Sequence, residues 1–261
     1  MKILYINPVG TSLFDESMLK ILEDVKNPGT HVDVASLKRG PWHVEYHYYE
    51  SLVLTDTLHM IKRAENDGYD GVVIGCFYDP GLQEAREISE TMVVTAPAES
   101  CMLTACSLGS TFSIIVGRKK WIPQMMSNVV HYGLKDRLAS FKALDLGVLD
   151  FQKNKRKTEE RQIEATREAI EKDGAEVIIL GCTAEFGFWK VLQKKFEVPV
   201  LDAIITPFKY TEYLVNLKKG FGWSHSKIAG YESPPIKEIK QWHLERDYDT
   251  SVWSRGKALA K

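Results

Sequence analysis

Short, continuous apolar runs alternate with longer amphipathic stretches along this chain, the pattern of a mainly parallel sheet flanked by helices. Residues 2–7 read as a strand. Across residues 16–26, Met18, Leu19, Leu22 and Val25 recur at helical spacing, and Asn27-Pro28-Gly29 stops the helix. Residues 31–37 read as a second strand, and residues 52–66 as a helix closed by Asp67-Gly68. In residues 71–75 the run Val72-Val73-Ile74 is apolar without alternation, as a strand covered on both faces requires. The order then recurs. Residues 112–117 form a strand like the first. Residues 158–173 form a helix with Thr158 as its expected N-cap and Asp173-Gly174 at its end, and residues 177–181 form another buried strand. A further helical stretch, residues 98–108, carries Cys101, Met102, Ala105 and Leu108 on its apolar face.

The recurrence holds at a fixed offset. Cys76 and Cys182 lie 106 positions apart, and so do Asp67-Gly68 and Asp173-Gly174, Val72 and Ile178, and Val94 and Val200. This reads as an internal repeat of a helix–strand–cysteine–helix–strand unit. The expected fold is therefore α/β, with two similar α/β/α domains of mainly parallel strands related by a pseudo-two-fold and the active site in the cleft between them. Residues 1–96 with 208–261 would make the first domain and residues 97–207 the second. Ligands of open α/β sheets bind beyond the carboxyl ends of the strands. A cysteine at the same strand end in each half would then face its counterpart across one cleft.

Composition narrows the chemistry. The chain has 261 residues, 44% hydrophobic and 26% charged, with a formal net charge of −1. That balance gives no electrostatic support for a nucleic-acid partner, and no apolar run has the length of a membrane span. The N-terminus lacks the apolar core and cleavage site of a signal peptide, so a cytoplasmic protein is expected. There Cys76, Cys101, Cys106 and Cys182 would be reduced thiols. Cys101 and Cys106 read as small apolar helix residues. Cys76 and Cys182, in register, have the groups that inversion at a carbon needs: a thiolate on one face to take a proton and a thiol on the other to return one. A helix N-terminus behind each would favour the thiolate.

Gly75-Cys76-Phe77-Tyr78-Asp79-Pro80-Gly81 resembles the first cysteine motif of hydantoin and allantoin racemases. Gly181-Cys182-Thr183 resembles the second motif of the wider aspartate/glutamate/hydantoin racemase superfamily. Ile6-Asn7-Pro8, Gly40-Pro41 with Glu45, the 226–231 segment and Pro234-Pro235 are similar to other parts of that pattern, which spans residues 1–235. The resemblance implies a pseudo-symmetric fold, no metal or organic cofactor, Cys76 and Cys182 as the acid/base pair, and Asn7, Phe77, Gly117 and Thr183 beside the substrate. The first motif usually has glycine where this chain has Tyr78. The second usually continues with small residues where this chain has Ala184-Glu185, and Glu185 is expected to face solvent.

The aromatic residues that follow Cys76 favour a flat, neutral cyclic ureide, a 5-substituted hydantoin or allantoin, over an amino acid. The alternatives are an Asp/Glu-type amino-acid racemase, a decarboxylase or cis–trans isomerase of the superfamily using one cysteine, and a two-lobed small-molecule binding module. Residues 41–50, with Trp42, His43, Tyr46, His47, Tyr48 and Tyr49, read either as a substrate-covering loop or as a surface segment, and no metal site is expected there. The basic run 153–157 reads as a solvated connection. The 221–225 segment reads either as a flap over the cleft or as a crossover. The tail, residues 236–261 with Trp242, Tyr248 and Trp253, is expected to pack on its own domain or on another subunit, and a homo-oligomer is the expected assembly.

Overall fold

The computed structural model of the protein describes residues 1–248. Its first sheet runs in the order β2-β1-β3-β4, from β1 (Lys2–Asn7), β2 (His31–Ser36), β3 (Gly71–Ile74) and β4 (Val93–Thr95), with every pair parallel. The connections are α1 (Asp15–Val25), α2 (His47–Asn66) and α3 (Leu82–Ile88). Successive β1 residues point to opposite faces. Ile3 and Tyr5 join Met18, Leu22 and Phe208 in one core cluster, while Leu4 and Ile6 join Ile61, Leu82 and Ala85 in another. Full burial of one such aliphatic side chain is worth about 1.5–3 kcal/mol. That is why β1 and β3 carry no polar alternation.

The second sheet repeats the topology as β6-β5-β7-β8, from β5 (Phe112–Val116), β6 (Leu138–Ala143), β7 (Val177–Leu180) and β8 (Val200–Leu201), again all parallel. Its connections are α5 (Ile122–His131), α6 (Lys155–Glu171) and α7 (Trp189–Phe196). The last helix of each unit changes sheets. After β4, α4 (Pro97–Leu108) packs on β7 and β5. After β8, α8 (Ile205–Phe221) returns to β3, β4 and β1, and the two helices pack on each other. The two domains are thereby joined by reciprocal crossings.

Several local readings need revision. α2 starts at His47, five residues before the apolar periodicity begins, because its first turn is aromatic and polar and sits at the surface. α6 starts at Lys155, with the Asn154 side chain accepting from the Lys157 N–H. Thr158 is therefore not the cap. It lies inside the helix and donates its hydroxyl back to the Phe151 and Asn154 carbonyls. Part of the basic 153–157 run is thus the first turn of α6. The 221–225 segment is neither flap nor domain crossover: it leaves α8 along the first domain, where His225 Nε2 accepts from the Val94 N–H at the β4 edge, 2.9 Å away, and it is not part of the cavity wall. The tail adds α9 (Ile236–Gln241) and α10 (Leu244–Asp247). There Ile239 is buried, but Trp242 and Tyr248 remain exposed, and Trp253 lies outside the described residues. Among the described residues, no helix is long and apolar enough to cross a membrane.

Candidate active site

Each buried central strand, β3 and β7, ends in Gly-Cys. The Gly75 N–H donates to the Ile6 carbonyl at 2.7 Å, and the Gly181 N–H donates to the Ile115 carbonyl at 2.7 Å. A Cβ on Gly75 would fall 2.3 Å from the Tyr5 ring, and one on Gly181 would fall 2.7 Å from the Ile115 carbonyl oxygen. Only glycine lets the strand end pack this closely against its neighbour before the chain turns up into the cleft. Both cysteines then line the same cavity, with Asn7, Phe77, Tyr78, Thr183 and Ala184 also in its wall.

No α-helix begins directly behind either thiol. A turn follows Cys76, with the Asp79 N–H donating to the Cys76 carbonyl at 3.0 Å, and the Glu185 N–H makes the same 3.0 Å bond to Cys182. The backbone N–H two residues on, from Tyr78 or Ala184, interacts with each sulfur and lowers its pKa. Burial is the larger effect and raises both thiols. The charges of Glu50 and Asp79 add to the rise at Cys76, and that of Glu185 adds to the rise at Cys182. The expected helix dipole is therefore replaced by single, directed N–H groups.

The two carboxyls at matching positions differ. Asp79 has positive φ (52°) and accepts from the Ala98 and Glu99 N–H groups, both at 2.8 Å, and from the Tyr132 hydroxyl at 2.7 Å. It holds the Cys76 loop to the first turn of α4 and to α5, and burial still pushes its pKa up to about 7. Glu185 is not at the surface as the sequence suggests. It is 1% exposed, because Gln162 of α6 reaches in to donate to it at 2.9 Å. Among the described residues Glu185 Oε1 and Gln162 Oε1 have no partner, and burial pushes the Glu185 carboxyl well above the ordinary range.

Asn7 keeps its place in the wall, but its amide nitrogen donates to Ser36 Oγ (3.2 Å) and Asp15 Oδ1 (3.4 Å). The Thr183 hydroxyl donates to the Gly75 carbonyl. Gly117 is not in the wall; it lies behind it, where a Cβ would meet the Trp121 ring at 2.4 Å. Trp121 itself lines the cavity, with Phe14, Met18, Met125 and Val148.

The residue most undervalued in sequence is Glu45. The aromatic segment divides: Trp42, His43, Val44 and Glu45 line the cavity, while His47 opens α2. Buried Glu45 reaches into the other domain. Its Oε1 accepts from the Val148 N–H at 3.0 Å, and its Oε2 accepts from Arg118 Nη1 at 2.8 Å and Trp121 Nε1 at 3.3 Å. Its partners lie 73 to 103 residues away, so no local pattern announces them. Among the described residues the cavity wall includes no Lys or Arg, and no three His, Cys, Asp or Glu side chains gather as a metal set.

The Asp/Glu/hydantoin racemase family profile matches residues 3–206. The chain is 33% identical to a hydantoin racemase of Pseudomonas sp. (strain NS671) over 91% of its own length and 94% of that protein. It is also 33% identical to one of Paenarthrobacter aurescens, over 91% and 99%. Among solved structures, the allantoin racemase from Klebsiella pneumoniae superposes with a TM-score of 0.84 at 29% identity, covering 90% of this chain and 94% of that one.

Proposed function

The chain belongs to the Asp/Glu/hydantoin racemase family, and from that premise we propose that it racemises 5-substituted hydantoins, the class that includes allantoin, with Cys76 and Cys182 as its two acid/base groups and without a cofactor. One thiolate takes the proton from C5, and the electron pair moves onto the neighbouring carbonyl oxygen. The opposite thiol then gives its proton to the other face of the carbon. The thiol and thiolate have exchanged roles, and the reverse reaction restores them.

One observation carries this reading. Both cysteines line one cavity, and the described wall around them offers aromatic and aliphatic surface without a Lys or Arg. A free amino acid brings a carboxylate whose burial needs a cationic or hydroxyl-rich anchor, and the one threonine of the described wall, Thr183, already donates to the Gly75 carbonyl. A hydantoin ring is neutral and flat, and it presents amide N–H and C=O groups that backbone atoms at strand ends satisfy. Asn7, Phe77 and Thr183 are its neighbours in this reading, with Gly117 supporting from behind through Trp121. The reciprocal crossing of α4 and α8 supports domain boundaries near residues 96 and 207.

The test is proton–deuterium exchange followed by NMR. The metal-chelated protein is incubated in D2O with a 5-alkyl hydantoin, a 5-aryl hydantoin, allantoin, aspartate and glutamate. Loss of the C5–H signal together with loss of optical activity, for the hydantoins and not for the amino acids, is the expected result. Exchange confined to aspartate or glutamate removes the hydantoin reading.

A further inference from the structure

We propose that the Tyr78 hydroxyl is a catalytic hydrogen-bond donor, aimed at the substrate carbonyl oxygen that becomes an enolate when the adjacent carbon loses its proton. The proposal rests on the proton-transfer reading above and assigns a role that reading leaves vacant: what holds the negative charge between the two proton transfers.

Tyr78 lines the cavity with both cysteines and is only 7% exposed. Its backbone is held by its carbonyl, which accepts from Asn128 Nδ2 at 2.8 Å. The ring packs in the core around the second sheet. Its hydroxyl, by contrast, has no hydrogen-bond partner among the described residues, and it is not one of the polar atoms sealed from the molecular surface. Buried tyrosines normally satisfy the O–H. The half-buried Tyr132 and Tyr69 do so here, donating to Asp79 at 2.7 Å and to Asp33 at 2.6 Å; the fully buried Tyr5 hydroxyl has no partner among the described residues, but unlike that of Tyr78 it is sealed from the surface. A tyrosine of the cavity wall, held by its carbonyl and its packed ring and left with a free, unsealed hydroxyl, has its partner in whatever fills the cavity.

The surrounding charges say what kind of partner. After burial, the groups that act on the Tyr78 hydroxyl are Cys76, Cys182, Glu45 and Glu50, and all push its pKa up. The hydroxyl therefore keeps its proton at any working pH, and both thiols act on it rather than one. A neutral phenol in that position donates equally well in either direction of racemisation. In the step itself the C5–H bond breaks, the proton goes to one thiolate and the electron pair goes to the carbonyl oxygen. The Tyr78 O–H donates to that oxygen without transferring its own proton. Reprotonation of C5 by the other thiol returns the pair. Glycine, usual at this position in the motif this chain resembles, supplies no such donor.

Tyr78→Phe keeps the ring and deletes the hydroxyl. The expected result is a fall in kcat of about 100-fold or more, the usual effect of removing one oxyanion donor, with KM and melting temperature little changed. A second measurement needs no turnover. Barbiturate is a planar cyclic ureide that is already an enolate at neutral pH, whereas 5,5-dimethylhydantoin is a neutral ring with no exchangeable C5 proton. By calorimetry, Tyr78→Phe should weaken barbiturate binding about tenfold, as loss of one charge-assisted hydrogen bond implies, and leave dimethylhydantoin binding unchanged. A Tyr78→Phe protein that turns over at the wild-type rate, or that binds barbiturate as the wild type does, overturns the proposal. So does a wild-type protein that fails to bind barbiturate. If the wild type exchanges no hydantoin proton yet loses barbiturate affinity in Tyr78→Phe, the donor stands and the substrate assignment falls.

Discussion

The hydroxyl of Thr183 donates to the carbonyl oxygen of Gly75 across 3.3 Å. Thr183 follows one cysteine and Gly75 precedes the other, so a single bond ties together the two strand ends that carry the thiols. The domains are also joined through α4, α8, the Glu45 loop and the bonds that Asn128 and Tyr132 donate to the Cys76 loop. Thr183→Val keeps the shape and removes the donor. We expect a loss of about 1 kcal/mol in stability and a clear fall in kcat, because the registration of the thiols is loosened. Thr183→Ser should restore both. Thermal melting and the deuterium-exchange rate measure the two effects, and wild-type kcat in Thr183→Val would show that the bond does not register the site.

Serine at either cysteine position leaves a far weaker acid and base. Cys76→Ser and Cys182→Ser should each lower racemisation by about 10²–10⁴-fold, the range general acid–base groups command. The informative part is the residue of activity. Each variant retains one competent thiolate, so each should still exchange C5–H of one enantiomer without inverting it, and the two variants should favour opposite enantiomers. Exchange is followed separately on the resolved enantiomers. Equal loss for both enantiomers in both variants would contradict one base per face.

Burial raises both thiols, with directed backbone N–H groups only partly opposing it. The thiolate is the scarce form at neutral pH, so kcat/KM should climb as pH rises from about 7 toward the ordinary thiol range near 8.5 and beyond. The limb should be ascending, since raising pH populates the base. A flat profile across that interval would mean that substrate binding already supplies a thiolate well below it.

Glu45 closes the cavity by accepting three donors of the other domain. Glu45→Ala leaves the Val148 N–H and Trp121 Nε1 without their acceptor, and an unsatisfied buried donor costs about 1–3 kcal/mol. The expected outcome is a lower melting temperature and a raised KM, because the Trp42–Glu45 wall is no longer held against Trp121. Steady-state kinetics with a hydantoin substrate check it; an unchanged KM would place the wall's closure elsewhere.

What the sequence conveyed follows from the range of the interactions involved. The repeat, the two sheets and the paired Gly-Cys ends are written in contiguous residues: apolar Val72–Ile74 and Ile178–Leu180, then a glycine that only tight packing requires. α8 was missed because its buried face carries Thr211 and Glu212 beside Phe208 and Val215, whereas α5 buries Met125 and Val129 at helical spacing, a legible signal that was passed over. The cap of α6 was misplaced by four residues because Asn154, inside a basic run, outcompetes Thr158, whose hydroxyl bonds backward to Phe151 and Asn154. The contacts of Glu45 are distant in sequence. The burial of Glu185 depends on Gln162 arriving from α6, and nothing beside either residue signals the encounter.

That buried pair yields a stability prediction with a definite sign. In the folded chain the Glu185 carboxyl is raised well above its ordinary value of 4.5, and Asp79 is raised from 3.8 to about 7. Between the unfolded and folded pKa values the native state holds more protons than the unfolded one, so stability must fall as pH rises through that window. It is fully present below about pH 4 and is lost progressively upward, through about 7 for Asp79 and further for Glu185. Glu185→Gln removes the Glu185 part. The amide cannot ionise, it still accepts from Gln162 Nε2, and it brings an N–H to the side where both Oε1 atoms lack a partner. At pH 8 it should melt higher than the wild type, by at least about 1 kcal/mol since each pKa unit is worth about 1.4. At pH 4 the two proteins should melt alike. Melting curves across that range decide it: a Glu185→Gln protein less stable than the wild type at pH 8 would mean that the folded protein holds Glu185 as a stabilised carboxylate, with a donor in reach of its second oxygen.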